Sequence, residues 1–315
     1  MSDPMPPFAR VAATPATGRG GSIYDLGYQR YGGPRLGRRA AATALLRNTV
    51  KSAFGIGRGG RAKIAPFTLS GLAVLPAILA VGIAGLAAQA GGGGVLDRAS
   101  PVRYETYHSL TITLLVLFCA AQAPELFGRD QRYGVLPLYF SRALTRTDYA
   151  LARIGGLMLA LLMVDLLPQF ILFTGRVLVA SDPVTGLSNE LPAVPKFVAQ
   201  ALLTAGVLGG LSALIAAWTP RRAYATAGII AVSIIPPVVV ALLDSLSGSD
   251  LARWLIFLSP SDILDGANAW LFGGLSENPI IVKSGFPGPA YVAGAVVVAV
   301  GAIGLTVRRY QRIAT

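Results

Sequence analysis

The fold class is decided by the stretch Ile64-Ala-Pro-Phe-Thr-Leu-Ser-Gly-Leu-Ala-Val-Leu-Pro-Ala-Ile-Leu-Ala-Val-Gly-Ile-Ala-Gly-Leu-Ala-Ala-Gln-Ala90, which has no charged side chain. About 20 apolar residues are enough for a helix to cross the hydrocarbon core of a bilayer. With this stretch, segments long enough to span lie at approximately 64–90, 107–126, 149–175, 196–218, 223–243 and 289–307. None alternates as a barrel strand does, and backbone groups in lipid must be satisfied within the segment. We therefore predict an all-α polytopic membrane protein, with a six-span transmembrane domain over residues 64–315.

The composition supports a lipid environment and excludes several kinds of site. Hydrophobic residues make up 53% of the chain, charged residues only 13%, and the mean hydropathy is +0.59. Soluble domains carry about 25% charged residues. The one cysteine, Cys119, and the one histidine, His108, allow no internal disulfide and no thiol or multi-histidine metal site. The sequence thus predicts no metal centre.

The distribution of positive charge predicts the orientation. Residues 1–63, 125–153, 221–222 and 308–312 hold 21 of the 27 lysines and arginines. Cytoplasmic flanks of membrane spans carry such an excess, so both termini should be cytoplasmic in a multi-pass protein of the cell membrane. The net charge of +12 lies at the span ends, where topology and anionic lipid account for it, and nucleic-acid binding is not expected.

Two regions precede the first span. Residues 1–35 are rich in proline, glycine, alanine and arginine, which predicts a disordered, basic cytoplasmic tail. Its tyrosines, Tyr24, Tyr28 and Tyr31, fit either a docking segment or a tethered linker. Residues 36–63 form an amphipathic elbow region. Within its stretch 45–54, apolar side chains including Val50 and Phe54 share one face of a helix, and Arg47 and Lys51 lie on the other. This pattern predicts an interfacial elbow helix in contact with membrane lipids.

The segment 244–288, predicted to lie on the outer side, contains two apolar stretches too short to span. They are Leu251–Leu258 and Ile263–Phe272, separated by Pro260. We predict two short outer-face helices between spans five and six, with Trp254 and Trp270 at the membrane interface. The segment is either an extracellular gate or a loop seated at the interface.

Asp165 is the one carboxylate near the middle of a predicted span. A charge at that depth costs about 2.5–3.5 kcal/mol on insertion scales, so its presence needs a reason. It lines a polar substrate path or it bonds a neighbouring helix at a subunit contact. Pro76, Pro168, Pro236 and Pro237 should kink or interrupt the spans that contain them.

A charged loop, residues 125–148, lies between the second and third apolar spans. Its acidic, basic and aromatic side chains alternate, as expected of a surface that docks on another protein. Topology alone would explain the arginines, but not the interleaved acids and aromatics. The candidate docking residues are Glu125, Arg129, Asp130, Arg132, Tyr133, Leu136, Tyr139, Arg142 and Arg146.

The sequence contains no nucleotide site of its own. A phosphate-binding loop ends in Gly-Lys-Ser/Thr, and the stretch Gly57–Lys63 has its glycines and basic residues in the wrong order. Asp262 and Asp265 would share a helix face, which alone is a weak indication of paired-carboxylate catalysis. We therefore expect a transport subunit rather than an enzyme, with any energy supplied by a partner.

The layout resembles the export-type permeases of ABC transporters, the class that includes drug, polysaccharide and lipid exporters. The resemblance is most specific in the loop, at Gly134-Val-Leu136 and Ser141-Arg-Ala-Leu-Thr-Arg-Thr-Asp-Tyr149. The stretch from Asp25-Leu-Gly-Tyr28 to Arg38 is similar to the amino-terminal tails of actinobacterial members.

The resemblance implies a division of labour between subunits. A separate ATP-binding cassette ATPase, which would hold ATP and Mg²⁺, would contact loop 125–148 and the elbow helix. A second permease subunit, identical or a sister chain, would complete the conduit for an amphipathic or lipid-like cargo. Arg129, Arg132 and Arg142 would pair with acidic residues of the ATPase, while Tyr133, Leu136 and Tyr139 would fill its groove. An ion-coupled secondary transporter and a membrane-embedded enzyme or scaffold remain as alternatives.

Overall fold

The structure is a computed structural model that describes residues 33, 36–89, 103–141, 144–247, 250–274, 276 and 278–313. Within these residues every regular element is helical and no strand is present. Six of these helices are long and apolar enough to cross a membrane. The prediction of an all-α polytopic membrane protein is therefore confirmed. The predicted tail 1–35, apart from Gly33, and the candidate docking residue Arg142 lie outside the described residues.

The helices of the described part are numbered here in chain order. They are α1 (Gly37–Ala53), α2 (Arg61–Gln89), α3 (Tyr104–Arg132), α4 (Leu136–Phe140), α5 (Arg146–Val179), α6 (Pro183–Glu190), α7 (Ala193–Trp218), α8 (Arg222–Ser247), α9 (Asp250–Leu255), α10 (Pro260–Phe272), α11 (Pro279–Ser284) and α12 (Gly288–Gln311). The candidate spans are α2, α3, α5, α7, α8 and α12. A short 3-10 helix, Ile256–Leu258, joins α9 to α10.

The second span is longer than the sequence predicts. We expected it to end at residue 126, whereas α3 continues to Arg132. Arg129 and Arg132 lie in its last turn, where positive side chains interact favourably with the helix dipole. Glu125, Arg129, Asp130 and Arg132 therefore project from a helix end and not from a loop.

Three spans form the centre of the bundle and three its periphery. In their most apolar windows, 61% of α3, 50% of α5 and 67% of α7 are buried, against 17% of α2, 11% of α8 and 22% of α12. Small residues of α7 let neighbouring helices approach it closely. A Cβ on Gly209 of α7 would lie 3.0 Å from the Met158 side chain of α5, and one on Gly210 would lie 3.3 Å from the Ala299 carbonyl of α12. Such approaches are the usual basis of helix packing in membranes.

The interior prolines do not interrupt the spans that contain them. α2 continues through Pro76, α5 through Pro168, and α8 through the pair Pro236–Pro237. Neighbouring helices can satisfy the backbone groups that a proline frees in a transmembrane helix.

Successive spans cross the bundle in opposite directions, so the bundle has two ends. We call the end that carries Arg129 and Arg132 the basic end and the opposite end the distal end. At the basic end, the carboxyl ends of α3, α7 and α12 meet, as shown by the bonds of Gln131 to Ala217 and Tyr310. At the distal end, α6 meets the amino end of α3, α10 meets α3, α7 and α12, and α9 and α11 lie against each other. Tyr104, for example, donates to Glu190 at 2.8 Å.

The elbow helix is present, but much of its apolar face is covered by protein. α1 begins before the predicted stretch 45–54, and its Leu45, Thr49 and Ala53 are buried. It packs on α5 at Gly156, where an added Cβ would lie 2.5 Å from Thr49. The sequence assigned this face to lipid. The structure assigns most of it to α5, because a glycine there lets the two backbones approach closely.

The distal end carries more short helices than the sequence predicts. Both predicted stretches between the last two spans are helical, as α9 with its 3-10 extension and as α10. The segment also contains α11, and α6 follows the third span. Each of α6, α10 and α11 begins with a side-chain N-cap, from Asp182, Ser259 and Asn278 respectively, followed by proline. These are recognisable start signals for helices too short to show periodicity.

Candidate functional site

Glu125 is the hub of an ion-pair network at the basic end. Its Oε1 lies 2.9 Å from Arg222 of α8 and 3.9 Å from Arg132, and its Oε2 lies 3.5 Å from Arg58. Burial lowers the pKa of Arg58, and the attraction of Glu125 opposes that shift. One carboxylate therefore holds three guanidinium groups that come from three segments of the chain.

Asp130 is an internal residue rather than a surface one. It is buried, pairs with Arg153 of α5, and accepts a hydrogen bond of 2.6 Å from Tyr149. The Tyr149 ring in turn contacts Tyr139 and Tyr310, each with ring centroids 5.3 Å apart. Asp130 thus braces α3, α4, α5 and α12 against one another, and its charge is not available to a partner.

The short helix α4 presents some of the predicted docking residues to the surface and not others. Gly134 has φ +63°, a left-handed conformation that suits glycine, and it turns the chain from α3 into α4. Tyr133 is 72% exposed, whereas Leu136 is buried within the chain. Tyr139 is half-buried against Tyr149. An apolar contact with a partner would therefore use Tyr133 and the unpredicted Leu138, which is 66% exposed.

A cavity of about 550 Å³ lies between the elbow helix and this turn. Arg129 lines it, is exposed, and has no carboxylate within 4.0 Å among the described residues. The other lining residues are Asn48, Ser52, Arg58, Glu125, Leu126, Asp130, Tyr133, Val135, Leu138, Tyr139 and Arg153. The cavity therefore offers positive charge and aromatic surface together.

The elbow helix has a charged outer face and is tied to the bundle. Arg47 and Lys51 are exposed, while Val50 and Phe54 are half-buried. Phe54 packs on Phe118 of α3, with ring centroids 5.8 Å apart. Arg146, another predicted docking residue, donates to the Gln311 carbonyl at 2.9 Å and so ties α5 to α12.

At the distal end the two predicted interface tryptophans contact other residues. Trp254, 64% exposed, stands edge-on to Phe286 with ring centroids 4.9 Å apart. Trp270 lies so close to Gly288, the first residue of α12, that an added Cβ would be 2.1 Å from its ring. Trp270 thus packs against the start of the last span, and Trp254 is the more accessible of the two.

Asp165 is buried deep in α5 beside polar residues from two other spans. Gln169, one turn later, donates to Gln200 of α7 at 2.9 Å, and Gln200 lies 2.7 Å from Nδ1 of His108. The His108 side chain is fully buried. The sequence signal for this cluster was available: an Asp-x-x-x-Gln pair within one apolar span and a glutamine within another.

Comparison with protein-family models and with curated proteins finds no match for this chain. What the protein does must therefore be argued from the chain itself. No group of three or more histidine, cysteine, aspartate or glutamate side chains that could hold a metal ion occurs among the described residues.

Substitution of Glu125 by Gln should destabilise the protein by about 1–3 kcal/mol, since the partly buried Arg58 would lose its compensating charge. Unfolding midpoints in detergent measure the effect. Glu105→Gln is the matched control, because Glu105 pairs at 3.3 Å with an Arg103 that is 54% exposed. The control should change stability by less than about 0.5 kcal/mol. Equal effects of the two substitutions would contradict a special role for the Glu125 network.

Stability should depend on pH through Asp265. Burial, with repulsion from Asp262, raises the Asp265 pKa from 3.8 to about 7. Between these two values the folded state binds a proton that the unfolded state does not, so stability should fall as pH rises from about 4 to about 7. The slope from one such group reaches at most about 1.4 kcal/mol per pH unit. Unfolding midpoints measured across this range should flatten in Asp265→Asn, and an unchanged profile would remove Asp265 as the cause.

Proposed function

We propose that this chain is the membrane-spanning permease subunit of an ATP-driven exporter, with its ATPase on a separate subunit bound at the basic end. The observation that carries the proposal is the 550 Å³ cavity between the elbow helix and α4, with Arg129, Tyr133 and Leu138 at its edge. A charged guanidinium beside exposed aromatic and aliphatic side chains is typical of the anchors of a protein interface. The occupant we propose is a segment of the ATPase that carries an acidic and an apolar side chain.

The rest of the architecture is consistent with this division of labour. Two residues that line the cavity form ion pairs with spanning helices: Glu125 pairs with α8 and Asp130 pairs with α5. A force applied at the cavity would therefore act on the membrane part directly. The sparsely buried faces of α2, α8 and α12 are apolar and suit lipid or a second permease subunit. On this proposal the basic end is cytoplasmic, the protein lies in the cell membrane, and the cargo is amphipathic or lipid-like.

The test is co-purification in mild detergent from the native host, comparing Arg129→Glu with the parent chain. We expect a stoichiometric ATPase subunit with the parent and at least about a tenfold loss with the variant, the equivalent of about 1.4 kcal/mol. Arg308→Glu is the matched control, since Arg308 is exposed at the same end but does not line the cavity. Equal recovery with both variants would place the docking site elsewhere. Recovery of the parent chain alone would contradict the proposal.

An ion-coupled secondary transporter is the second candidate, favoured by the buried polar side chains around Asp165. Ionisable groups within a bundle commonly mark ion or proton pathways. Transport by such a carrier would collapse with the ion gradient and persist without ATP. Transport that requires ATP and ignores the gradient would eliminate it.

A further inference from the structure

The short helix α6, which follows the third span, has an apolar face that the described part of the chain leaves largely exposed. Val184, Leu187 and Leu191 are 76%, 45% and 56% exposed. Leu191 is the C-cap of α6 and keeps a helical conformation. At about 100° per residue, the three side chains lie within about 60° of one another around the helix axis. They therefore form one continuous apolar surface.

A second face of α6 rests on the protein. Gly186 is buried there, and an added Cβ would lie 2.7 Å from the Ala180 side chain at the end of α5. One turn later, Glu190 accepts a hydrogen bond of 2.8 Å from Tyr104 of α3 and lies 3.7 Å from Arg176 of α5. These contacts fix the rotation of α6 about its own axis, and they direct the apolar face away from the bundle.

The third face of α6 is polar. Thr185 and Asn189 are exposed, and at about 100° per residue they lie on the opposite side of the helix from Leu187. One face thus contacts protein, one is apolar and one is polar. A helix that lies in the plane of a membrane interface presents an apolar face to the lipid and a polar face to the water in this way.

The position of α6 along the bundle matches the edge of a hydrocarbon core. Residues 154–175 of α5, between Arg153 and Arg176, contain no basic side chain. At 1.5 Å per residue this part of the helix is about 33 Å long, close to the thickness of about 30 Å of a hydrocarbon core. Arg176 therefore lies at the distal boundary of the core. Because Glu190 pairs with Arg176, α6 lies at the same depth.

The ends of the neighbouring spans show what covers the apolar face. Leu178 of α5 is 76% exposed and Leu86 of α2 is 69% exposed. The two spans approach each other here, since a Cβ on Gly85 would lie 3.9 Å from Val179. Exposed apolar side chains at the end of a membrane span face lipid. The same lipid can therefore reach the face of α6.

We propose that α6 is an interfacial helix whose apolar face lies in the lipid leaflet at the distal end, at the boundary between head groups and acyl chains. Helices of this kind bury their apolar face about 5–10 Å into the boundary. The pair of Arg176 and Glu190 then lies at the level of the head groups and connects α6 to α5. The inference goes beyond the proposed transport function and requires only that the bundle spans a membrane.

Spin labelling of the full chain in nanodiscs of neutral lipid tests the proposal. Labels are attached to Val184→Cys, Leu187→Cys, Thr185→Cys and Asn189→Cys, each combined with Cys119→Ala, which removes the one native cysteine. Oxygen concentrates in lipid and a polar nickel complex in water. The ratio of oxygen to nickel accessibility should be at least about threefold higher at the two apolar positions than at the two polar ones, because polar groups are excluded from hydrocarbon.

The polar positions are matched controls within the same helix, and Leu167→Cys calibrates the depth. Leu167 is 52% exposed near the middle of α5, so its ratio should be higher than that at Val184. Equal ratios at all four positions of α6 would overturn the proposal. Low access of both reagents at Val184 and Leu187 would show that a second copy of the chain or another protein covers this face, and would overturn it as well.

Discussion

Arg153→Met should be the most damaging single substitution at the basic end, at about 3–5 kcal/mol. It removes one partner of a buried ion pair and leaves the other, Asp130, charged and uncompensated. The side chains of Arg153 and Asp130 are only 6% and 10% exposed, so solvent cannot replace the lost partner. The fraction of folded protein after heating in detergent, read by size-exclusion chromatography, measures the loss.

A second substitution, made in the Arg153→Met variant, separates the effect of the lost charge from the effect of the lost packing. Asp130→Asn added to Arg153→Met should restore much of the lost stability, because the uncompensated charge is gone while Tyr149 can still donate to the side-chain oxygen. Arg308→Met, at an exposed position, should change stability by less than about 0.5 kcal/mol. If Arg153→Met behaved like Arg308→Met, the ion pair would not be buried in the protein as it is in the structure.

Substitution by alanine should change the stability of the protein in opposite directions at two adjacent glycines of α5. An alanine Cβ at Gly156 would lie 2.5 Å from Thr49 and 3.2 Å from the Leu46 carbonyl, so Gly156→Ala should cost about 1–3 kcal/mol and loosen α1. At Gly155 the nearest atom would be a Leu46 methyl at 3.5 Å, an ordinary contact. Gly155→Ala should therefore be neutral or stabilise by up to about 1 kcal/mol through helix propensity.

Limited proteolysis at the α1–α2 connection measures how firmly α1 is held, and thermal unfolding measures the stability. Faster cleavage in Gly156→Ala than in Gly155→Ala is the expected result. The same cleavage rate in both variants would mean that α1 does not rest on α5 at this point.

The spans could be predicted from the sequence because the signal is local. Each needs only about 20 apolar residues in succession, and all six appear close to their predicted positions. The end of α3 was misplaced for the same reason. Hydropathy falls at Glu125, but the helix continues to Arg132, since charged residues at a span end leave the lipid without leaving the helix.

The candidate sites could be predicted only in part, because their contacts join distant residues. The sequence marks Glu125 and Asp130 as unusual, yet not that Arg222 and Arg153 neutralise them. Leu136 is buried and Leu138 exposed, a distinction that depends on how α4 is rotated. Likewise Asp165 could be singled out, whereas its association with Gln200 and His108 depends on how three spans pack.

The length of α5 and its side-chain contacts with α1 determine how a movement at one end would reach the other. At the basic end Arg38 of α1 donates to Asp148 at 2.9 Å, and Asp148 together with Thr145 caps the first turn of α5. From there the helix is unbroken over 34 residues, about 51 Å, to the distal end. If α5 moved as a rigid rod, a tilt of about 10° around its midpoint would displace each tip by about 4 Å. A displacement of the elbow helix that tilted α5 in this way would therefore move the opposite surface equally far in the other direction.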